Sequence, residues 1–127
     1  MLKDSINIGD AELEIMKVIW KSKKAITSSE IGAEVENKGW KRTTIATFLS
    51  RLVEKGALKS EKHGKSLYYT PLISAKEYKK TQLTHLIKHV FGGSAQDLVA
   101  SLFEDKAITE QDIQELKAIF DDKEDAQ

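Results

Sequence analysis

The residues best suited to chemistry lie between Lys41 and Lys65. From Lys41 to Arg51 the chain sets Lys41, Arg42, Thr43, Thr44, Thr47 and Arg51 against Ile45, Phe48, Leu49 and, one turn on, Leu52, with no acid in the run. On a helix the two sets separate, because apolar residues at i, i+3, i+4 and i+7 line one side. The polar side carries hydroxyls and cations toward its N-terminal end. Thr43, Thr44 and Thr47 can donate or accept at base edges, and their methyls can meet thymine. Lys41, Arg42 and Arg51 can neutralise phosphates, helped by the amides and partial positive charge of a helix N-terminus. This chemistry suits the major groove of DNA. A face that is only solvated usually mixes charge signs, and this one does not. A second basic point follows at His63-Gly64-Lys65, approached by Lys59 and Lys62. As a hairpin tip it would touch backbone or the minor groove through His63 and Lys65. The plainer alternative is that Gly64 serves a turn needing positive φ and the lysines keep an edge strand soluble.

Other chemistry finds little support. There is no nucleophile–base set and no Gly-rich phosphate loop, so an enzyme is not expected and no cofactor is assigned. The absence of cysteine removes disulfides, thiolate metal sites and cysteine nucleophiles together. His85 and His89 stand four apart, a spacing that can bind a metal from one helix face. No third ligand is evident nearby, so they read as solvated histidines and no metal is assigned. Trp20 reads as core. Trp40 either braces the segment after it or touches sugar-phosphate, and both readings stay open. Of Tyr68 and Tyr69, which alternate across a strand, one is expected to pack on the core.

The elements that must position these groups follow from periodicity. Asp10 is read as the cap of a first helix whose face is Leu13, Met16, Ile19 and Trp20, ending near Lys21–Lys24. Ala25-Ile26 suggests a short edge strand. Thr27 with Glu30 forms a capping box for a helix through Ile31 and Val35 to about Glu36, and Asn37-Lys38-Gly39 breaks it. The third helix ends at Gly56. Two β-type runs, Ala57–Lys62 and Ser66–Thr70, flank the turn, and Pro71 ends the hairpin. Ser74 with Glu77, Ser94 with Asp97 and Thr109 with Asp112 open three further helices. Their stripes are Leu83, Leu86, Ile87, Val90 and Phe91; Leu98, Val99, Leu102 and Phe103; and Ile113, Leu116 and Phe120. Gly92-Gly93 ends the first of these, and Asp121–Gln127 is polar and expected to fray. The fold class is mainly α with a small β-hairpin: a winged helix-turn-helix domain over residues 1–73, then a helical dimerisation domain over 74–127.

Charge divides the same way. The 127 residues carry 20 basic and 20 acidic side chains. Residues 1–73 hold 13 Lys/Arg against 9 Asp/Glu, and 74–127 hold 7 against 11. Within 37–65 there are 8 basic and 2 acidic residues. A polyanion-binding module joined to something else has this pattern, and so does an uneven scatter of charge on a solvated surface. No run of uncharged apolar residues approaches the roughly 20 needed to span a bilayer, and no apolar signal core follows Met1–Ser5. The expected compartment is the cytoplasm.

The run from Asp10-Ala11-Glu12-Leu13 to Val18-Ile19-Trp20 resembles the opening of the BlaI/MecI/CopY family, the penicillinase, methicillin-resistance and copper-responsive repressors. So does Trp40 followed by Thr43-Thr44-Ile45-Ala46-Thr47-Phe48-Leu49-Ser50-Arg51-Leu52-Val53-Glu54-Lys55-Gly56, and then Tyr68-Tyr69-Thr70-Pro71-Leu72. The resemblance spans about residue 7 to residue 120. It implies a homodimer that represses by binding a dyad-symmetric DNA operator through the winged half. It also implies C-terminal helices interlocking through Leu83, Leu86, Ile87, Val90, Leu98, Leu102, Phe103, Ile113, Leu116 and Phe120. Short amphipathic helices on a winged domain cannot bury their apolar faces alone, so self-association is the physical expectation; the rival is that they fold back on their own domain. Two departures matter. The copper-responsive branch uses a cysteine-rich tail, absent here. The β-lactam-responsive branch is cut at an Asn-Phe pair, where this chain has Ser101-Leu102 with Phe103 one place later. A proteolytic switch at Ser101-Leu102, and a membrane-bound sensor protease as partner, are implied by resemblance only. The competing functional reading is a winged-helix module for protein–protein contact.

Overall fold

The computed structural model describes residues 6–104 and 108–125. Helix α1 (Asp10–Lys21) is followed by strand β1 (Ile26–Thr27), helix α2 (Ser28–Glu34), a 3₁₀ turn (Glu36–Lys38) and helix α3 (Arg42–Glu54). Strands β2 (Leu58–His63) and β3 (Ser66–Pro71) come next, then α4 (Ala75–His89), α5 (Ala95–Glu104) and α6 (Glu110–Asp125). The chain divides into two compact units, Met1–Ala75 and Lys76–Gln127.

The first unit holds a core of aliphatic side chains drawn from its three helices and β2, with Tyr69 added from β3. Ile15, Met16 and Ile19 of α1, Ile31 of α2, Leu49 and Leu52 of α3, and Leu58 of β2 are all fully buried. Ile6 and Ile8 join them from the segment before α1. Helix α1 buries a strip that the sequence pattern obscures, because Glu12 lies on it, 5% exposed. That polar residue hides the i, i+3, i+4 sequence Glu12, Ile15, Met16, Ile19, so Ile15 escapes a reading based on Leu13. The cap also differs from expectation. Asp10 is the first helical residue, and the N-cap is Gly9, whose amide donates to Glu12 Oε1 at 2.9 Å. Thr27 and Glu30 do form the expected box: Thr27 N–H donates to Glu30 Oε1 at 2.9 Å and Glu30 N–H to Thr27 Oγ1 at 3.2 Å.

The antiparallel sheet runs β1-β3-β2. Strand β1 pairs Ile26 with Tyr69 and Thr27 with Tyr68, so the expected edge strand exists, one residue further along. In the hairpin His63 pairs with Ser66, leaving only Gly64-Lys65 as the turn. Gly64 has φ +66°, a conformation that costs a side-chain-bearing residue about 1 kcal/mol. Pro71 is paired opposite Leu58 and does not lie beyond the strand. It fits because the strand ends there, and the next amide, Leu72 N–H, takes up the bond to Ala57 O at 2.9 Å.

The second unit is helical. Asp97 N–H donates to Ser94 Oγ at 3.0 Å, and Thr109 and Asp112 exchange bonds of 2.9 and 3.1 Å, so α5 and α6 open as expected. Helix α6 runs to Asp125, through most of the stretch expected to fray. Four large apolar side chains on or beside α4 and on α5 stay exposed: Leu86, Val90, Val99 and Phe103.

Candidate nucleic-acid interface

Helix α3 is anchored through Ile45, Leu49 and Leu52, all buried, with Phe48 and Val53 half-buried beside them. Its length is bounded by Gly56, whose φ of +85° turns the chain toward β2. With that face committed, Arg42, Thr43, Ala46, Thr47, Ser50, Arg51 and, in the last turn, Glu54 are left exposed, as is Lys41 just before the helix. Thr44 is half-buried. Thr47 Oγ1 donates to Thr43 O at 2.9 Å, so its outward capacity is that of an acceptor.

The N-terminus of α3 is open. Lys41 is its N-cap with extended backbone, no side chain closes the first turn, and no acid lies in it. By contrast α1, α2, α5 and α6 each have a side chain bonded at their start. The free amides and helix dipole of α3 therefore favour an anion. Trp40 packs edge-on against Phe48, centroids 5.2 Å apart, and so braces the segment entering α3. It also lines a cleft of about 600 Å³ between α2 and α3, with Ser28, Ser29, Arg42 and Thr43. Ser28 and Ser29 are missed by sequence reasoning, since the capping box explains the start of α2 without them.

His63 and Lys65 are exposed at the hairpin tip, about 17 Å along β2 from Leu58 by strand rise. The His63 ring meets Tyr68 edge-on at 5.5 Å and lies 3.4 Å from Glu61 Oε1. Thus His63 is partly engaged with its own strands and Lys65 projects free of them. Tyr69 is the tyrosine on the core, and burial raises its hydroxyl above the usual range. Trp20 is half-buried, its Nε1–H donating to Ile73 O at 2.9 Å.

Glu12 fixes α3 from beneath. Burial alone would raise its carboxyl, but the hydrogen bond from the Lys55 ammonium and the Gly9 amide together hold it below the usual range. This ion pair ties the start of α1 to the end of α3.

In the second unit, Leu83, Ile87, Leu98, Leu102 and Ile113 are half-buried, and Leu86, Val90 and Phe103 are exposed. The side chains of Leu116 and Phe120 lie outside the described residues. Ser101 and Leu102 are inside α5, with Ser101 Oγ bonded to Asp97 O at 2.9 Å. Among the described residues no three His, Cys, Asp or Glu side chains group to hold a metal, and no helix is long and apolar enough to cross a membrane.

Three helices, a three-stranded sheet with a basic hairpin, and a hydroxyl-rich third-helix face with no acid from Lys41 to Arg51 define a winged helix-turn-helix protein. The chain belongs to the penicillinase repressor family, whose model matches residues 8–122. It is 33% identical over 121 residues to the penicillinase repressor of Bacillus licheniformis, covering 95% of this chain and 94% of that one. It is 30% identical over 116 residues to the methicillin resistance regulatory protein MecI of Staphylococcus aureus, covering 91% and 94%. The solved DNA-binding domain of the repressor BlaI is similar with a TM-score of 0.53 and 44% identity, over 57% of this chain and 89% of that one.

Proposed function

We propose that this protein is a sequence-specific DNA-binding repressor that grips a palindromic operator as a homodimer. The observation that carries the reading is the exposed face of α3, where Lys41, Arg42, Thr43 and Thr47 gather at an uncapped helix N-terminus, Arg51 extends the strip toward the last turn, and no acid lies between Lys41 and Arg51. Residues 1–73 are the reading domain. Thr43, Thr44 and Thr47 meet base edges in the major groove; Lys41, Arg42 and Arg51 meet phosphates; His63 and Lys65 reach the flanking backbone. Ser28, Ser29 and Trp40, at the mouth of the α2–α3 cleft, abut the same strand.

Residues 74–127 dimerise. The exposed Val90 and Phe103, 67% and 50% accessible, support this, because large apolar side chains gathered on neighbouring helices need a cover. A two-fold protein places its half-sites whole turns apart, about 10 bp or a multiple. In the cell it works on DNA in the cytoplasm and has no catalytic role. Cleavage at Ser101–Leu102 by a sensor protease would release the operator by cutting the dimer unit, after local unwinding of α5.

Selection from a randomised duplex pool tests the reading. A dyad-symmetric sequence should be enriched. Absence of enrichment would instead favour a module whose basic face meets an acidic protein.

A further inference from the structure

We propose that His85 and His89 form a surface site for a divalent transition-metal ion, with copper(II) bound more tightly than nickel(II) or zinc(II). Both side chains are exposed on α4, with ring centroids 4.2 Å apart and planes inclined by 36°. Four residues along an α-helix bring the chain back to within about 40° of the same direction, so the two rings leave one strip of surface a single turn apart. Imidazole suits copper, nickel and zinc, and the order among them follows intrinsic affinity for nitrogen ligands.

At about 100° per residue the pair lies roughly 130° from the mean direction of Leu83, Leu86, Ile87 and Val90, with Leu86 at the near edge, so a partner centred on that stripe does not cover the pair. Thr81 and Gln82, one turn earlier on the same side, bring no charge; Lys88 does, and its ammonium keeps the affinity modest. Because no third His, Cys, Asp or Glu among the described residues joins the pair, the protein supplies two ligands and water fills the other positions. This distinguishes the site from a structural zinc centre, which four protein ligands close. A bound ion would pin the C-terminal turns of α4, next to Gly92-Gly93.

The test is calorimetric titration of the full chain with the chlorides of copper(II), nickel(II), zinc(II) and magnesium in a non-chelating buffer. One copper ion per chain is expected, weaker nickel and zinc binding, and none of magnesium. His85→Ala and His89→Ala should each weaken copper binding about tenfold or more, since the second imidazole acts intramolecularly. Helix content by circular dichroism should be unchanged, both positions being exposed. Copper binding that survives either substitution at full strength, or is equalled by magnesium, overturns the proposal.

Discussion

Toward DNA, the Thr47 side chain offers an acceptor oxygen with a methyl beside it, because its proton is spent on the Thr43 carbonyl. Thr47→Val keeps the shape and methyl and removes the acceptor. It is expected to cost about 1–3 kcal/mol at the operator and nothing on random duplex. Titrations of both duplexes check this, and equal losses would mean the hydroxyl reads no base. Glu12 is the opposite kind of residue, hidden and structural. Glu12→Gln is expected to lower stability by about 1–2 kcal/mol, discounted because Lys55 is a third exposed. Since the Glu12 carboxyl is held below its ordinary value, its contribution is full above the usual carboxylate range and fades as pH falls through it. Denaturant titrations across the acid range should therefore show wild type and variant converging at low pH. A difference that persists or grows there would contradict the assignment. The exposed, basic face of α3 was legible in the sequence because cations and hydroxyls recur from Lys41 to Arg51 without an acid. Glu12 was not, since a lone acid on an apolar strip reads as surface until its partner, 43 residues away, is known.

At the scale of the element, the proposed function gives α3 and the wing separate work. The helix brings hydroxyls to one place, and the hairpin carries a charge beyond the helix. Lys65→Ala is expected to weaken binding to all duplexes alike and to lower the slope of log affinity against log salt by about one unit. A loss confined to the operator would assign base reading to the wing. Elements with reciprocal caps or strong stripes could be read directly: Thr27 with Glu30, Thr109 with Asp112, and α3 through Leu52. The shortfalls came where backbone bonding decides. Gly9 caps α1 because the Glu12 carboxylate reaches back to its amide, which residue preference alone does not reveal. The turn shrank to Gly64-Lys65 because cross-strand pairing extends as far as it can, taking in His63 opposite Ser66 and, at the other end, Pro71.

For the whole molecule, zero net charge conceals a basic first unit and an acidic second, and among the described residues the fully buried aliphatic side chains lie in the first. Truncation after Gly93 is therefore expected to leave a folded, monomeric domain that binds a half-site weakly. Sedimentation of both forms checks this, and a truncated chain that still dimerises would place the interface elsewhere. The stripes of α4 and α5 told where apolar surface lies, at Leu86, Val90, Val99 and Phe103, but not what covers it, because periodicity has no partner in it. The central claim is that one palindromic sequence is read by two copies of the α3 face. Its most direct measurement is the affinity of the selected duplex against a scrambled one at two salt concentrations. The selected site should bind at least about a thousandfold tighter, with two chains per duplex, and weaken steeply with salt. Equal affinities that track salt alone would contradict it.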